Sequence, residues 1–193
     1  MSVRIWFWKN WFAGKEVIAV LDRQQKKCIR KENQNGSKNI IEITDERLDR
    51  YCGFINPDDY SFDLSFVEDK IKDKGPMPGI MTGLGEIKSD YALVLPCDSP
   101  YVSKNYINTI FNEIDTDYQA IVPYHDDEDR LKTSEPLHSI YSRNIIPEIE
   151  SLIEGDVLHI KGLIEKIDAK FVLIDNKKIE KKEFRNLNRP SDI

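Results

Sequence analysis

The sequence has no pair of cysteines at a spacing typical of a zinc site or a disulfide framework. Its three cysteines, Cys28, Cys52 and Cys97, lie far apart in a chain of 193 residues. Structural zinc sites and disulfide-rich domains need several cysteines at short, regular spacing, so neither class is indicated. A small thiol that is buried or half-buried is the simplest interpretation of each of the three.

Long apolar runs and an excess of positive charge are also missing. No apolar segment approaches the roughly 20 residues of a membrane span, and the first residues show no apolar core followed by a small-residue cleavage site. The formal net charge is −6, and the lysines are scattered among acidic residues, which leaves no basic patch for nucleic acid. We therefore expect a cytoplasmic protein without nucleic-acid or membrane partners.

The sequence does contain an alternation of apolar and amphipathic segments. Its length suits one domain, residues 1–193. The patterns predict strands at 39–44, around 66–67, at 91–95, 118–124 and 170–175, and helices at 16–31, 78–87, 103–114, 142–155 and 159–167. This order predicts an α/β fold with a three-layer, doubly wound, mostly parallel sheet. Its ligands should bind at the carboxyl ends of the strands.

Asp98 is the first candidate functional residue at such a strand end. In "DYALVLPCDSPYV", residues 90–102, it follows a nearly continuous apolar run that is typical of a parallel strand covered on both faces. Pro96 and Pro100 flank it, and their restricted φ angles limit the directions of the chain. A carboxylate held in this way is suited to binding a metal ion.

Two further loops are candidates for ligand binding. "GPMPG", residues 75–79, leads into a predicted helix, where Gly75 and Gly79 allow backbone amides to approach an anion. A plain tight turn is the alternative interpretation. "NLNRPSD", residues 186–192, carries Asn186 and Asn188 on one side of an extended chain, where two amides can recognise a polar ligand. A polar turn before a terminal helix is the alternative there.

Four motifs in order resemble those of the molybdenum cofactor guanylyltransferases, within the nucleotidyltransferases that have a Rossmann-like sheet of the nucleotide-diphospho-sugar transferase type. They are "VEDKIKDKGPMPGI" (67–80), "LVLPCDSP" (93–100), "EPLHSIYSR" (135–143) and "NLNRPSD" (186–192). Each motif is weak alone, and the four together are specific because their order and spacing agree. Glu135 stands where the family pattern has a histidine.

The resemblance implies transfer of GMP from GTP to molybdopterin, which yields molybdopterin guanine dinucleotide and pyrophosphate, with Mg²⁺ as cofactor. It implies that Asp98 is a catalytic residue and the magnesium ligand, and that Lys9 is a catalytic lysine that contacts the nucleotide phosphates. Molybdoenzymes and other proteins of cofactor biosynthesis are the candidate protein partners.

Further residues follow from the same motif positions. Asp69 corresponds to an acidic nucleotide-binding residue, and Gly75 and Gly79 belong to the nucleotide-binding motif. Asn186 and Asn188 correspond to the pterin-binding side.

The amino-terminal segment departs from the family pattern. The family has a glycine-rich loop, LAGGxSxRMGxDK, after its first strand, whereas this chain opens "MSVRIWFWKNWFAGKEVI" and lacks both that strand and the LAGG segment. Trp6 stands at a glycine position and Trp8 at the usual Asp or Asn. Tryptophan cannot adopt glycine's conformations, so two interpretations stay open: a native start upstream of Met1, or an altered phosphate site.

Two other functions are compatible with these residues. One is a different nucleotidyltransferase, which would use CTP, or a sugar or lactate phosphate as the acceptor. The other is a non-catalytic relative that binds nucleotide, cofactor or a protein partner through the aromatic amino terminus.

Overall fold

The computed structural model describes residues 16–20, 39–44, 63–68, 71, 74–96, 99, 101–175 and 178–186. The described residues form a seven-stranded sheet in the order β3-β2-β1-β4-β6-β5-β7. Its strands are β1 (Glu16–Val20), β2 (Asn39–Thr44), β3 (Asp63–Glu68), β4 (Tyr91–Pro96), β5 (Ala120–Tyr124), β6 (Ile140–Ser142) and β7 (Ala169–Leu173). Only β6 is antiparallel to its neighbours, so the predicted mostly parallel sheet is confirmed.

Strand β1 corrects the helix predicted for residues 16–31. It pairs in parallel with β2 and β4, which places the segment "EVIAV" at the centre of the sheet. Branched apolar residues favour a strand that is covered on both faces, and this preference outweighs the helical spacing of Val17, Val20, Leu21 and Cys28.

Within the described residues, four α-helices cover the sheet: α1 (Pro76–Glu86), α2 (Lys104–Asn112), α3 (Ile146–Glu154) and α4 (Ile160–Lys166). All four lie where the sequence predicted helices, with ends displaced by a few residues. Ser103 caps α2, because its side chain accepts a hydrogen bond from the Tyr106 backbone N–H. None of the described helices combines the length and the apolar character that a bilayer crossing requires.

The alternation of side chains along the strands divides the core between the two faces of the sheet. Ala92 and Val94 of β4 belong to the cluster that contains residues of α1, α3 and α4, whereas Leu93 and Leu95 belong to the cluster that contains residues of α2. This division produces the three predicted layers.

Three elements were not predicted from the sequence: strand β6 and the two short 3₁₀ turns Pro136–His138 and Lys181–Phe184. The first 3₁₀ turn leads into β6, and the second lies after β7. Both turns belong to segments that approach the carboxyl ends of the parallel strands, where the candidate site is built.

Candidate functional site

The carboxyl ends of β1 and β4 lie side by side at the centre of the sheet. Val20 is the register partner of Pro96, so the chain leaves both strands at neighbouring points of one edge. β5 ends at the same edge, and the antiparallel β6 begins there. Parallel α/β sheets bind their ligands at this edge, which agrees with the predicted position of the site.

The "GPMPG" loop adopts a backbone conformation that glycine alone adopts readily. Gly75 has a φ of 75° and a ψ of −159° and is the N-cap of α1, followed by Pro76 in the first turn. Met77 and Gly79 are buried, so the start of the helix is fixed by packing. On the outer side, Lys74 Nζ lies 2.6 Å from Asp156 Oδ1 in the turn between α3 and α4.

In the "PCDSP" segment, the structure describes Pro96 and Ser99, and a hydrogen bond joins them. The Ser99 N–H donates to the Pro96 carbonyl oxygen at 3.3 Å, and Ser99 is 1% exposed. The backbone on both sides of residues 97 and 98 is therefore held by the sheet and by this hydrogen bond. Asp98 itself lies outside the described residues, and its role as a magnesium ligand stays a prediction.

The structure brings the "PCDSP" segment and the carboxyl-terminal motif together. The Ser99 hydroxyl donates to Asn186 Oδ1 at 2.8 Å across 87 positions of sequence. Asn186 is exposed, and this hydrogen bond uses its amide oxygen and not its amide nitrogen. Asn188 lies outside the described residues, as do Lys9 and Asp69, and the roles predicted for all three stay predictions.

A double-mutant cycle on Ser99→Ala and Asn186→Ala measures this contact. We expect a coupling energy of about 1 kcal/mol in the free energy of unfolding, because the buried Ser99 hydroxyl loses its acceptor in Asn186→Ala and is itself removed in Ser99→Ala. Chemical denaturation of the wild type, the two single variants and the double variant gives the value. Strictly additive effects would show that the two loops are not held together by this bond.

A cluster of polar side chains beside the site was not predicted. Glu135 Oε1 lies 3.3 Å from His125 Nε2, and Glu135 Oε2 lies 3.8 Å from His138 Nδ1. The Phe184 ring packs edge-on against both imidazoles, with centroids 4.8 and 5.1 Å away. From the sequence alone, His125, His138 and His159 show no spacing for a metal triad and are expected to be ordinary surface or half-buried histidines, whereas His138 is 2% exposed. The spacing of Glu135 and His138 in "EPLH" was the available signal.

His138 is held neutral by its surroundings. Burial, and then the proximity of His125, lower its pKa from the ordinary 6.5 to about 3. Neither ring nitrogen has a hydrogen-bond partner among the described residues, while the His138 carbonyl accepts from the Tyr106 hydroxyl. A buried neutral imidazole of this kind stabilises the fold only while it stays unprotonated.

This neutral state predicts a loss of stability in mild acid. Below about pH 6.5 the unfolded chain binds a proton at His138 that the folded chain does not, so the free energy of unfolding falls as the pH falls. We expect this residue to contribute a loss of about 1 kcal/mol between about pH 7 and about pH 5.5. Denaturation of wild type and His138→Gln across this range checks it, and equal pH slopes for the two proteins would contradict it.

No group of three or more His, Cys, Asp or Glu side chains that could hold a metal ion occurs within the part of the chain that the structure describes. Glu135 and the two histidines therefore do not form a metal centre as they stand. A site with one carboxylate, completed by substrate phosphates, is a different case, because Mg²⁺ commonly takes few protein ligands and keeps several waters.

The family model for a MobA-like NTP transferase domain matches residues 38–170 of this chain. A probable molybdenum cofactor guanylyltransferase of Methanothermobacter thermautotrophicus is 34% identical over 133 residues, which are 67% of this chain and 65% of that protein. One of Bacillus cytotoxicus is 30% identical over 126 residues, 65% of this chain and 59% of that protein. The chain thus spans less than two thirds of the length of these relatives.

Solved structures show the same fold. Molybdopterin-guanine dinucleotide biosynthesis protein A of Archaeoglobus fulgidus superposes with a TM-score of 0.67 at 20% identity, over 92% of this chain and 94% of that one. A putative protein of Aquifex aeolicus gives a TM-score of 0.67 at 16% identity, over 94% of this chain and 98% of that one. At such low identity these likenesses establish the fold alone, and they confirm the predicted α/β class.

Proposed function

Since the chain belongs to the family of MobA-like NTP transferase domains, we propose that it transfers GMP from GTP to molybdopterin. An oxygen of the acceptor's phosphate forms a new bond to the α-phosphorus of GTP. The bond from that phosphorus to the oxygen that bridges to the β-phosphate breaks, and pyrophosphate leaves with the bonding electron pair. The products are molybdopterin guanine dinucleotide and pyrophosphate, with no change of oxidation state.

The observation that carries this proposal is the Ser99–Asn186 hydrogen bond at the carboxyl edge of the sheet. It joins the loop that contains Asp98, on the nucleotide side, to an amide that we assign to the pterin side. Phosphoryl-type transfer depends mainly on alignment and charge stabilisation, so a site needs to hold its two substrates against each other. A direct bond between the two loops serves that requirement.

We assign one Mg²⁺ ion to the loop that contains Asp98. Asp98 follows β4 in the sequence and stands between Pro96 and Ser99, which are both buried. Oxygen donors of this type, together with nucleotide phosphates, are what Mg²⁺ prefers. When bound, the ion would neutralise charge that develops on the α-phosphate and on the leaving pyrophosphate.

We assign nucleotide binding to the "GPMPG" loop and to Asp69. Pro76 and Pro78 have no N–H, so the N–H groups of Met77 and Gly79 are the ones at the start of α1 that would contact a negatively charged ligand. Lys9 completes the proposal as the lysine that contacts the phosphates. The cytoplasmic location and the protein partners named from the resemblance stay predictions.

Calorimetric titration tests the nucleotide half of the proposal. GTP and, separately, CTP are titrated into the protein with and without Mg²⁺. We expect GTP to bind, Mg²⁺ to strengthen the binding, and CTP to bind at least tenfold more weakly. A folded protein that binds neither nucleotide would overturn the proposal, and a preference for CTP would reassign it to a cytidylyl transfer.

A further inference from the structure

Glu183 is a buried carboxylate in the 3₁₀ turn Lys181–Phe184, with 5% of its surface exposed. Its Oε2 accepts the backbone N–H of Ser103 at 2.8 Å. Its Oε1 accepts the backbone N–H of Glu180 at 3.3 Å, as part of a capping box. One side chain thus connects the carboxyl-terminal turn to the start of α2.

Burying a carboxylate is unfavourable unless hydrogen bonds compensate it. The bond from Ser103 is charge-assisted, and Ser103 is the N-cap of α2, a nine-residue helix whose amino end favours negative charge. The Ser103 hydrogen bond forms only when the carboxyl-terminal turn lies against the start of α2. Glu183 therefore favours one position of the carboxyl-terminal turn over others.

The same two segments meet at two further points. The Tyr106 and Phe184 rings pack edge to face, with centroids 5.2 Å apart. Ser99 and Asn186 form the hydrogen bond already described, at 2.8 Å. Ser99 thus contacts Asn186, Ser103 contacts Glu183, and Tyr106 contacts Phe184. We call these three contacts the C-terminal clamp.

We propose that Glu183 is a positioning residue for the acceptor substrate. It acts through the C-terminal clamp, which holds Asn186 beside the "PCDSP" loop, and it does not itself contact substrate. This role rests on the proposed transfer to molybdopterin. On the nucleotide side, Gly75 and α1 are linked instead through Lys74 to Asp156 in the α3–α4 turn, and the "PCDSP" loop continues directly from β4, so nucleotide binding should depend little on Glu183.

The kinetic test compares Glu183→Ala with Glu165→Ala, a variant that removes the same charge from an exposed position of α4. For Glu183→Ala we expect the KM for molybdopterin to rise about tenfold, because a charge-assisted bond is lost, while the KM for GTP changes less than twofold. Glu165→Ala should leave both values unchanged. A parallel rise of both KM values, or an unchanged acceptor KM, would overturn the proposal.

Glu183→Gln provides the conservative comparison. Its single amide oxygen can still accept from Ser103, but its NH₂ group then faces the Glu180 N–H. We expect an acceptor KM between those of wild type and Glu183→Ala. A glutamine variant as impaired as the alanine variant would contradict a role through the Ser103 bond.

Hydrogen exchange separates failure of this inference from failure of the proposed function. In free protein, Glu183→Ala should speed exchange of the Ser103 amide and of residues 180–186 at least tenfold, while thermal unfolding stays cooperative. Unchanged exchange would overturn the C-terminal clamp even in an active enzyme. If the wild type transferred no GMP, the proposed function would fail, whereas this measurement would still decide whether Glu183 holds the segment.

Discussion

Replacement of Asp98 by alanine is expected to lower kcat/KM for nucleotidyl transfer by about 10³-fold, or about 4 kcal/mol of transition-state stabilisation. The reason is that the variant removes the carboxylate that we assign to Mg²⁺, and with it the neutralisation of charge on the α-phosphate and the leaving pyrophosphate. Steady-state kinetics at saturating Mg²⁺ give the value. The effect should appear in kcat as well as in KM, because the charge develops in the transition state.

Asp90→Ala is the matched control for this prediction. Asp90 directly precedes β4, at the amino end of the strand that Asp98 follows, and it is exposed. The same substitution at the opposite end of one strand should leave kcat/KM within about twofold of wild type. If Asp98→Ala retained wild-type activity in a folded protein, the assignment of the metal ligand would be wrong.

Gly75→Ala is expected to lower the free energy of unfolding by about 1–3 kcal/mol. The φ of 75° and ψ of −159° lie in a region that glycine alone occupies readily. An added Cβ would lie 3.4 Å from the Leu158 carbonyl oxygen, which is van der Waals contact, so the expected loss comes from the backbone conformation. Because the loop begins α1, we expect GTP affinity to fall as well.

Gly85→Ala, in the same helix, should have the opposite sign. Nothing lies within 4 Å of a Cβ at Gly85, and the residue is exposed within α1. Alanine there should raise the free energy of unfolding by about 0.5–1 kcal/mol through its better helix propensity. Urea denaturation of both variants measures the pair. Equal effects would show that the special conformation of Gly75 is not required.

Much of the fold could be predicted because its strands carry unambiguous patterns. The run from Tyr91 to Leu95 is apolar throughout, as expected for a central parallel strand, and it forms β4. β1 was missed because five residues are too few to distinguish a strand from a helix when the apolar spacing extends beyond them. β6 has three residues, too few for any periodicity.

The candidate site could be predicted in part, for a different physical reason. The motifs indicated candidate loops after β4 and before the carboxyl terminus, and the structure joins the two through the Ser99–Asn186 hydrogen bond, which no sequence pattern showed. The burial of His138 could not be predicted, because Phe184 covers it from a distant part of the chain. The hydrogen bond between Glu183 and Ser103 could not be predicted for the same reason, since the two residues are 80 positions apart in the sequence.

One measurement tests the proposed GMP transfer most directly, namely the transfer of label from GTP to molybdopterin. The protein is incubated with Mg²⁺, molybdopterin and GTP that carries a radiolabel in its α-phosphate, and the products are separated by chromatography. If the chain transfers GMP, the label appears in molybdopterin guanine dinucleotide, and one pyrophosphate is released for each dinucleotide formed. GTP that stays intact in the presence of folded protein and molybdopterin, or label that appears only in GMP or GDP, would contradict it.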